Sequence, residues 1–354
     1  MRVRVHKILS IIALLLVVTA IAGYFSFSHY KEVANMQRHR EKSLDFFAAT
    51  AKWIVFSVPL DNDVTALAVI NRANDQRKLV FSPNSFLAFP HFSADGERIL
   101  VVRGKETVAG SEVLSCTIEN WNCRVLAQAY EPILWPVEVR KDVVLYVGSE
   151  LTATGRRRQH DFFLVESPLQ PIRLSTFELY QLNALNVVGD RIVFSAFGSL
   201  SRNKPIFPEL DPLAQASSEI FMLRMDWKQR RLIVPSQPLD PLYKIDGFST
   251  LPTVSGDGAR VVFLNRRITA GRDRYNLAIA TLDGTVQKYV EATTTRFSRP
   301  AFAESSVLAN QLFEDRYETT LVDLSNNLTR RAAVLNDASS ALAALERVEI
   351  CVTQ

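Results

Sequence analysis

FPHFSADGERILVVR, residues 89–103, is the stretch of this 354-residue chain that decides its fold. A second copy, LPTVSGDGARVVFLN, occupies residues 251–265. Both copies read apolar-Pro-x-apolar-Ser-x-Asp-Gly-x-Arg and continue as a run of apolar residues. An Asp-Gly pair supplies the positive-φ turn that joins two antiparallel strands, and proline is tolerated at the start or edge of a strand. Each copy therefore predicts a short strand, a tight turn and a second strand.

Three weaker copies of this pattern make the repeat regular. They are WPVEVRKDVVLYVGS (135–149), LNVVGDRIVFSA (185–196) and RPAFAESSVLANQLF (299–313). The marker positions lie 46, 50, 66 and 48 residues apart, at Pro90, Pro136, Asn186, Pro252 and Pro300. This is the period of a four-stranded propeller blade, with an insertion in one repeat. The pattern predicts five blades, each with strands a, b, c and d in chain order.

The two ends of the repeat region predict a sixth blade. Residues 53–81 contain three apolar runs, interpreted as strands b, c and d, and RVEICVTQ (347–354) is a single C-terminal strand. Joining them closes the ring with strands from both chain ends, which removes exposed strand edges. The prediction is an all-β, six-bladed propeller of four-stranded blades over residues 52–354. An unrelated sandwich of similar strands is the alternative.

The N-terminal segment predicts a membrane anchor. Three basic residues precede an uncharged, mostly apolar run from Ile8 to Phe27, and about 20 apolar residues are enough to cross a bilayer as a helix. Basic flanks stay in the cytoplasm, so residues 1–30 are expected to form a single-pass signal-anchor helix in the inner membrane, N-terminus inside. The sequence Ala20-Ile21-Ala22 leaves a cleaved signal peptide open. Both readings place the later residues in the periplasm or outside the cell.

Residues 31–51 connect this anchor to the repeats. They contain no proline or glycine and many helix-forming residues. They are expected to form a helical stalk or linker.

The repeat resembles that of a known family. The pattern P-x-[FW]-S-x-D-G-x-x-[IV] is similar to the repeat of the WD40-like PD40 propellers, to which the periplasmic TolB-type propellers belong. The resemblance covers residues 52–354 and is strongest in the copies at 89–103 and 251–265. It implies a propeller of the cell envelope. TolB-type proteins also carry an α/β domain before the propeller, whereas an anchor and a stalk are expected here, so the partners of those proteins are not carried over.

Motifs for common chemistry are missing from the sequence. It contains no G-x-S-x-G, no H-E-x-x-H and no P-loop. His91 follows a marker proline on an inner strand and is a candidate residue of the central channel. Its equivalents in the other copies do not make a ring of metal ligands: Val137, Val187, Thr253 and Ala301. No metal, cofactor or catalytic residue is predicted.

Cys116 and Cys123 flank Glu-Asn-Trp-Asn, a predicted turn between strands c and d of one blade. Cysteines at these positions face each other across a hairpin, and an exported location is oxidising. A disulfide is therefore predicted, with Cys351 left over.

Basic residues gather on the loops between strands b and c, which all emerge on one face of a propeller. The net charge is only +4, so it is the clustering that matters. The predicted basic residues are Arg156, Arg157, Arg158, Arg202, Lys204, Arg266, Arg267, Arg272 and Arg274. The long loop at 198–219 adds a predicted docking element with Pro205, Phe207 and Pro208. A scattered, solvated surface is the alternative.

These features predict a non-enzymatic binding or scaffold protein of the cell envelope. Arginines attract anions, so the expected partner is an envelope protein or an anionic lipid or glycan. Export argues against nucleic acid. The alternative function is a propeller enzyme that acts on an acidic polysaccharide held by the basic loops.

Overall fold

The computed structural model describes residues 44–353 apart from the following gaps: 61–63, 106–109, 152–157, 167–169, 178–180, 198–217, 235–238, 240, 244, 246, 270–271, 292–295, 314–315, 326–328, 337–341 and 343. The predicted anchor and most of the predicted stalk lie outside this range. In the part of the chain that is described, no helix is long and apolar enough to cross a membrane.

The described strands form six sheets, each built from four consecutive antiparallel strands, and two of these sheets carry a fifth strand. Blade 1 contains β1 (Phe47–Ala49), β2 (Trp53–Pro59), β3 (Thr65–Asn71) and β4 (Arg77–Phe81). Blade 2 contains β5 (Ser85–Phe92), β6 (Arg98–Lys105), β7 (Ser111–Thr117) and β8 (Asn122–Ala129). Blade 3 contains β9 (Ile133–Arg140), β10 (Val143–Leu151), β11 (Arg158–Glu166) and β12 (Gln170–Arg173).

The second half of the ring repeats this arrangement. Blade 4 contains β13 (Gln181–Val188), β14 (Arg191–Phe197), β15 (Ser218–Asp226) and β16 (Arg231–Ile233). Blade 5 contains β17 (Phe248–Val254), β18 (Arg260–Thr269), β19 (Arg272–Thr281) and β20 (Val286–Glu291). Blade 6 contains β21 (Ala301–Ala303), β22 (Ser306–Leu312), β23 (Arg316–Asp323) and β24 (Thr329–Asn336). Each first strand contacts the first strand of the next blade, and β21 contacts β1, so the six blades close a ring.

The hairpins of the two strongest repeats have the same local hydrogen bonds. In blade 2 the Ser93 hydroxyl donates to Asp95 at 2.5 Å and accepts from the Arg98 amide at 3.0 Å. In blade 5 Ser255 makes the equivalent bonds, to Asp257 at 2.5 Å and from the Arg260 amide at 2.9 Å. The glycine of each turn has a positive φ of 72° or 68°, as the Asp-Gly pair predicts.

The marker prolines lie in a bulge of the innermost strand. In blades 2 to 5, two consecutive residues of strand a lie opposite one residue of strand b, and the strand register shifts at that point. The first residue of the pair has a positive φ of 51–54° in four blades, at Phe89, Trp135, Ala184 and Leu251. A proline has no amide hydrogen to lose, so it suits the second position of such a bulge. In blade 6 the register between the Phe297–Gln311 bridge and the Ala301–Leu308 pair shifts in the same way around Arg299 and Pro300.

This register corrects the alignment of blade 4. Its bulge falls at Ala184-Leu185, so the residue equivalent to Pro90 is Leu185 and not the predicted Asn186. The residue equivalent to His91 is then Asn186 and not Val187. Without a proline in this copy, the sequence had no mark that distinguished the two registers.

The prediction of how the ring closes is wrong in detail. Blade 1 has its own innermost strand, β1, which lies in the segment predicted as stalk and extends the propeller beyond the expected boundary at residue 52. The C-terminal tail instead adds fifth strands on the outside. Strand β25 (Glu346–Glu349) pairs in parallel with β4, and β26 (Cys351–Thr353) pairs in parallel with β8. Three residues are too short for a strand pattern, so only pairing with β2 reveals β1.

Among the described strands, none is shared between blades 6 and 1. The rings of Phe56 and Tyr317 pack with centroids 5.2 Å apart. The Arg296 guanidinium donates to both carboxylate oxygens of Asp45 at 2.6 Å. Burial raises the pKa of Asp45, and the charge of Arg296 opposes that shift. Side-chain packing therefore closes the ring.

Candidate functional site

The hairpin of β18 and β19 is the described part of the predicted basic face. Its ladder continues to the Thr269–Arg272 pair, so both strands are 10 residues long. Near the end of this hairpin, Ile268 keeps 61% of its surface exposed.

The four arginines that were predicted on this hairpin divide into two pairs. Arg266 donates two hydrogen bonds of 2.9 Å to Asp273 and lies over the ring of Phe248. Arg267 donates to the Asn265 side chain at 3.1 Å and lies over Tyr289. Both are therefore held by their own blade.

Arg272 and Arg274, in contrast, are exposed. The described residues place no carboxylate within ion-pair distance of either guanidinium. These two side chains, with Ile268, are the part of the hairpin that a partner could contact.

The other predicted basic and docking residues lie mostly outside the residues that the structure describes. Arg158 begins β11, and its side chain is not described. The remaining ones lie outside the described residues: Arg156, Arg157, Arg202, Lys204, Pro205, Phe207 and Pro208. The structure therefore describes one of the three basic groups in atomic detail.

A second candidate site lies at the centre of the ring and was not predicted. Arg299, which is 5% exposed, extends from the bulge of blade 6 to three other blades. Its Nη2 donates to the Leu185 carbonyl at 3.3 Å and to the Asn186 side chain at 2.9 Å, both in blade 4. Its Nε donates to the Thr253 hydroxyl of blade 5 at 3.2 Å. Its guanidinium also lies 5.4 Å from the ring centroid of Trp135 in blade 3.

The neighbours of Arg299 are bound to one another. The amide of Asn186 donates to the carbonyls of Ala184 and Pro252, both at 2.7 Å. The Thr253 hydroxyl donates to the Pro300 carbonyl at 2.6 Å. The cluster of Asn186, Thr253 and Arg299 is called here the polar hub, and it ties blades 4, 5 and 6 together across the axis.

Aromatic side chains fill the opposite side of the centre. The rings of Phe46, Phe89 and Trp135, from the first three blades, pack with centroids 4.2–6.1 Å apart. Edge-to-face and tilted contacts of this kind stabilise a core beyond the area they bury. This group is called here the aromatic plug.

The predicted channel residue, His91, lies beside the polar hub. Burial and the positive charge of Arg299 lower the pKa of His91 to about 3, so its ring is neutral at physiological pH. Its side chain is half-buried. A neutral imidazole next to a buried cation can accept or donate a hydrogen bond but cannot balance the charge.

One signal in the sequence pointed to Arg299. The first residue of the repeat is apolar in the other copies, at Phe89, Trp135 and Leu251, and it is arginine only in RPAFAESS. A charged residue at an apolar repeat position marks a special site, but the sequence does not show that it reaches other blades.

The predicted disulfide is present. Cys116 and Cys123 are paired across the β7–β8 hairpin with Cα atoms 4.0 Å apart, and both are buried. Cys351 is a free, exposed cysteine. Among the described residues, no group of three or more histidine, cysteine, aspartate or glutamate side chains could hold a metal ion.

Comparison with known proteins reveals similarity of structure only. No family model and no curated protein matches the sequence. TolB from Acinetobacter baumannii superposes with a TM-score of 0.58 at 13% identity, over 82% of this chain and 66% of that one. A putative TolB from Agrobacterium tumefaciens gives a TM-score of 0.51 at 13% identity, over 77% of this chain and 89% of that one.

The chain is a six-bladed β-propeller similar in fold to TolB. It spans just under two thirds of the length of the Acinetobacter protein. Hydrazine synthase from Kuenenia stuttgartiensis also matches, with a TM-score of 0.56 at 10% identity over 82% of this chain and 46% of that one. One propeller fold therefore occurs in proteins with different names and activities, so the fold alone does not assign a function.

Proposed function

We propose that the chain is an exported, membrane-anchored propeller that binds an acidic surface of another envelope protein through its b–c loop face and performs no catalysis. The likeness in fold to TolB-type propellers supports a role in the envelope. The apolar segment after the basic N-terminus supports an inner-membrane anchor with the propeller in the periplasm or outside.

The observation that carries this proposal is the β18–β19 hairpin. Arg272 and Arg274 are exposed on one side of this hairpin, and Ile268, which pairs with Asp273 and therefore points to the other side, is 61% exposed. Arginine is enriched in protein interfaces, because its planar guanidinium binds carboxylates while its stem buries apolar surface. The two exposed arginines suit an acidic protein surface, and Ile268 adds apolar area at the end of the same hairpin that a partner can cover.

The rigidity of the hairpin supports the same role. Arg266 is held by Asp273 and Arg267 by Asn265, so the two side chains that precede Ile268 in β18 are already fixed. A partner would then order only the two exposed arginines, which keeps the entropic cost of binding low.

The test is a crosslinking pull-down from intact cells with charge-reversal variants. Arg272→Glu combined with Arg274→Glu is expected to remove the main crosslinked protein. The matched control reverses two exposed charges in turns of the opposite face, Lys141→Glu with Lys228→Glu, and is expected to keep it. Loss of the same protein with the control, or its retention with the hairpin variant, would overturn the proposal.

An anionic lipid or glycan is the competing outcome. Binding of the purified full-length protein to anionic vesicles, lost in the Arg272 and Arg274 variant without any crosslinked protein, would replace the protein partner by a lipid surface.

A further inference from the structure

We propose that the centre of the ring is a binding site for a small oxyanion, a carboxylate or a phosphate, held by Arg299. This inference is independent of the b–c loop face. It rests on the charge, burial and hydrogen bonds of the polar hub.

The charge of Arg299 has no described counter-charge beside it. Arg299 is 5% exposed, and its hydrogen-bond acceptors are a carbonyl, an amide and a hydroxyl, all of them neutral. No carboxylate of the described residues lies within ion-pair distance of it. A buried cation is costly unless an opposite charge is close, and neutral acceptors and an aromatic face compensate only in part. Desolvation accordingly lowers the pKa of Arg299 to about 10.

The guanidinium of Arg299 has one edge without a hydrogen-bond partner among the described residues. Nε and Nη2 are used by the polar hub, whereas Nη1 donates no hydrogen bond within the described structure. Arginine carries two N–H groups on Nη1. One edge of a fixed, buried guanidinium is therefore available to an oxygen atom.

His91 lies close to the charge of Arg299. His91, from blade 2, feels the charge of Arg299 and is neutral. A neutral imidazole has one N–H donor. An oxyanion bound to Arg299 could take this second hydrogen bond, and its negative charge would offset the effect of Arg299 on His91.

Access to the site is from one side. His91 and Thr253 lie after the bulge, towards the a–b turns, and both keep part of their surface exposed. The bulge residues Phe89, Trp135 and Leu251 are buried, with 9% exposure or less. The aromatic plug therefore limits the site to a small ion that enters from the a–b turn side.

The test compares anions at constant ionic strength. The melting temperature of the full-length protein is measured at pH 7 in sodium acetate, phosphate, gluconate and chloride. Acetate or phosphate is expected to raise it saturably over chloride, and gluconate, a carboxylate too bulky for the site, is expected not to. The ion that saturates at the lower concentration distinguishes a carboxylate site from a phosphate site. Equal melting temperatures in all four salts would overturn the proposal.

A pair of variants at Thr253 separates binding from general salt effects. Thr253→Asp places a carboxylate next to Arg299 Nε and is expected to remove the anion response, whereas the neutral, similarly sized Thr253→Asn is expected to keep it. Arg299→Gln is expected to remove the response as well. A response that survives in Thr253→Asp or in Arg299→Gln would contradict the proposal.

The histidine provides a readout that needs no variant at Arg299. In protein labelled at histidine, phosphate, which stays anionic in the acid range where His91 titrates, is expected to raise the apparent pKa of His91, because a nearby negative charge favours the imidazolium. His91→Gln identifies the resonance. An unchanged His91 titration at a saturating anion concentration would count against the site.

Discussion

The two halves of the ring centre place opposite chemistry at the same position of the repeat. In blades 2 and 3 the bulge residues are Phe89 and Trp135, which form the aromatic plug with Phe46. In blade 6 the bulge residue is Arg299, which forms the polar hub with Asn186 and Thr253. The bulge brings its first residue to the axis in either case. The register shift is common to these blades, although Arg299 does not share the positive φ of Phe89 and Trp135, and the side chain determines whether the centre is apolar or charged there.

The two halves also depend on different forces. The aromatic plug is stabilised by buried area and by packing, which tolerate small changes of angle. The polar hub is stabilised by hydrogen bonds among groups that are buried, at Asn186 and Arg299, or half-buried, at Thr253, so loss of one side chain leaves other groups unsatisfied. Single substitutions in each half separate these two contributions to stability.

Trp135→Ala is expected to cause the largest loss of stability. It removes a buried indole from contact with Phe89, Phe46 and Arg299, and aromatic-to-alanine changes in a core cost about 3–5 kcal/mol. Denaturant unfolding measures the change. The control, Trp227→Ala, removes a half-buried indole near the c–d turn of blade 4 and should cost clearly less. Equal losses would show that the plug is not a centre of stability.

Asn186→Ala is expected to cost about 1–3 kcal/mol, because it leaves the carbonyls of Ala184 and Pro252 and one N–H of Arg299 without partners. The control is Asn122→Ala, an exposed asparagine of β8 whose side chain can be lost at little cost. If both variants unfold at the same denaturant concentration as the wild type, the polar hub contributes no stability.

His91→Gln is expected to flatten the loss of stability in acid. The pKa of His91 is about 3 in the folded state and near 6.5 when unfolded, so the unfolded chain binds more protons between these values. Acid therefore favours unfolding across this window, with a slope of up to about 1.4 kcal/mol per pH unit from this group. Unfolding curves from pH 7 to pH 4 measure the slope. Identical slopes in both proteins would contradict the burial of a neutral His91 beside Arg299.

Ser93→Ala and Ser255→Ala are expected to have the smallest effects, about 1 kcal/mol each and equal to one another. Each serine hydroxyl makes the same bonds in its hairpin, to Asp95 or Asp257. Blade 2 contributes to the aromatic plug and blade 5 to the polar hub, so equal losses would show that these turns are independent of the centre. If the two stability losses differ by more than about 1 kcal/mol, the stability of each turn depends on the half of the ring centre to which its blade contributes.

The sequence predicted the parts of the fold that depend on neighbouring residues. The repeat period predicted five blades and the remnants at the two ends a sixth, the Asp-Gly pairs predicted the turns at Gly96 and Gly258, and the spacing of Cys116 and Cys123 predicted their disulfide. It also indicated four arginines on one hairpin, and two of these remain exposed. Each of these features arises within one hairpin or one blade, where pattern and turn chemistry are sufficient.

Tertiary structure alone decided how the ring closes and what lies at its centre. Residues 47–49 become a strand because β2 offers them a partner, and the C-terminal tail lies outside blades 1 and 2 because β4 and β8 present free edges. Arg299 contacts residues that are 46 to 164 positions away in the chain. A local pattern carries no information about such distant partners, since they meet only when the ring forms.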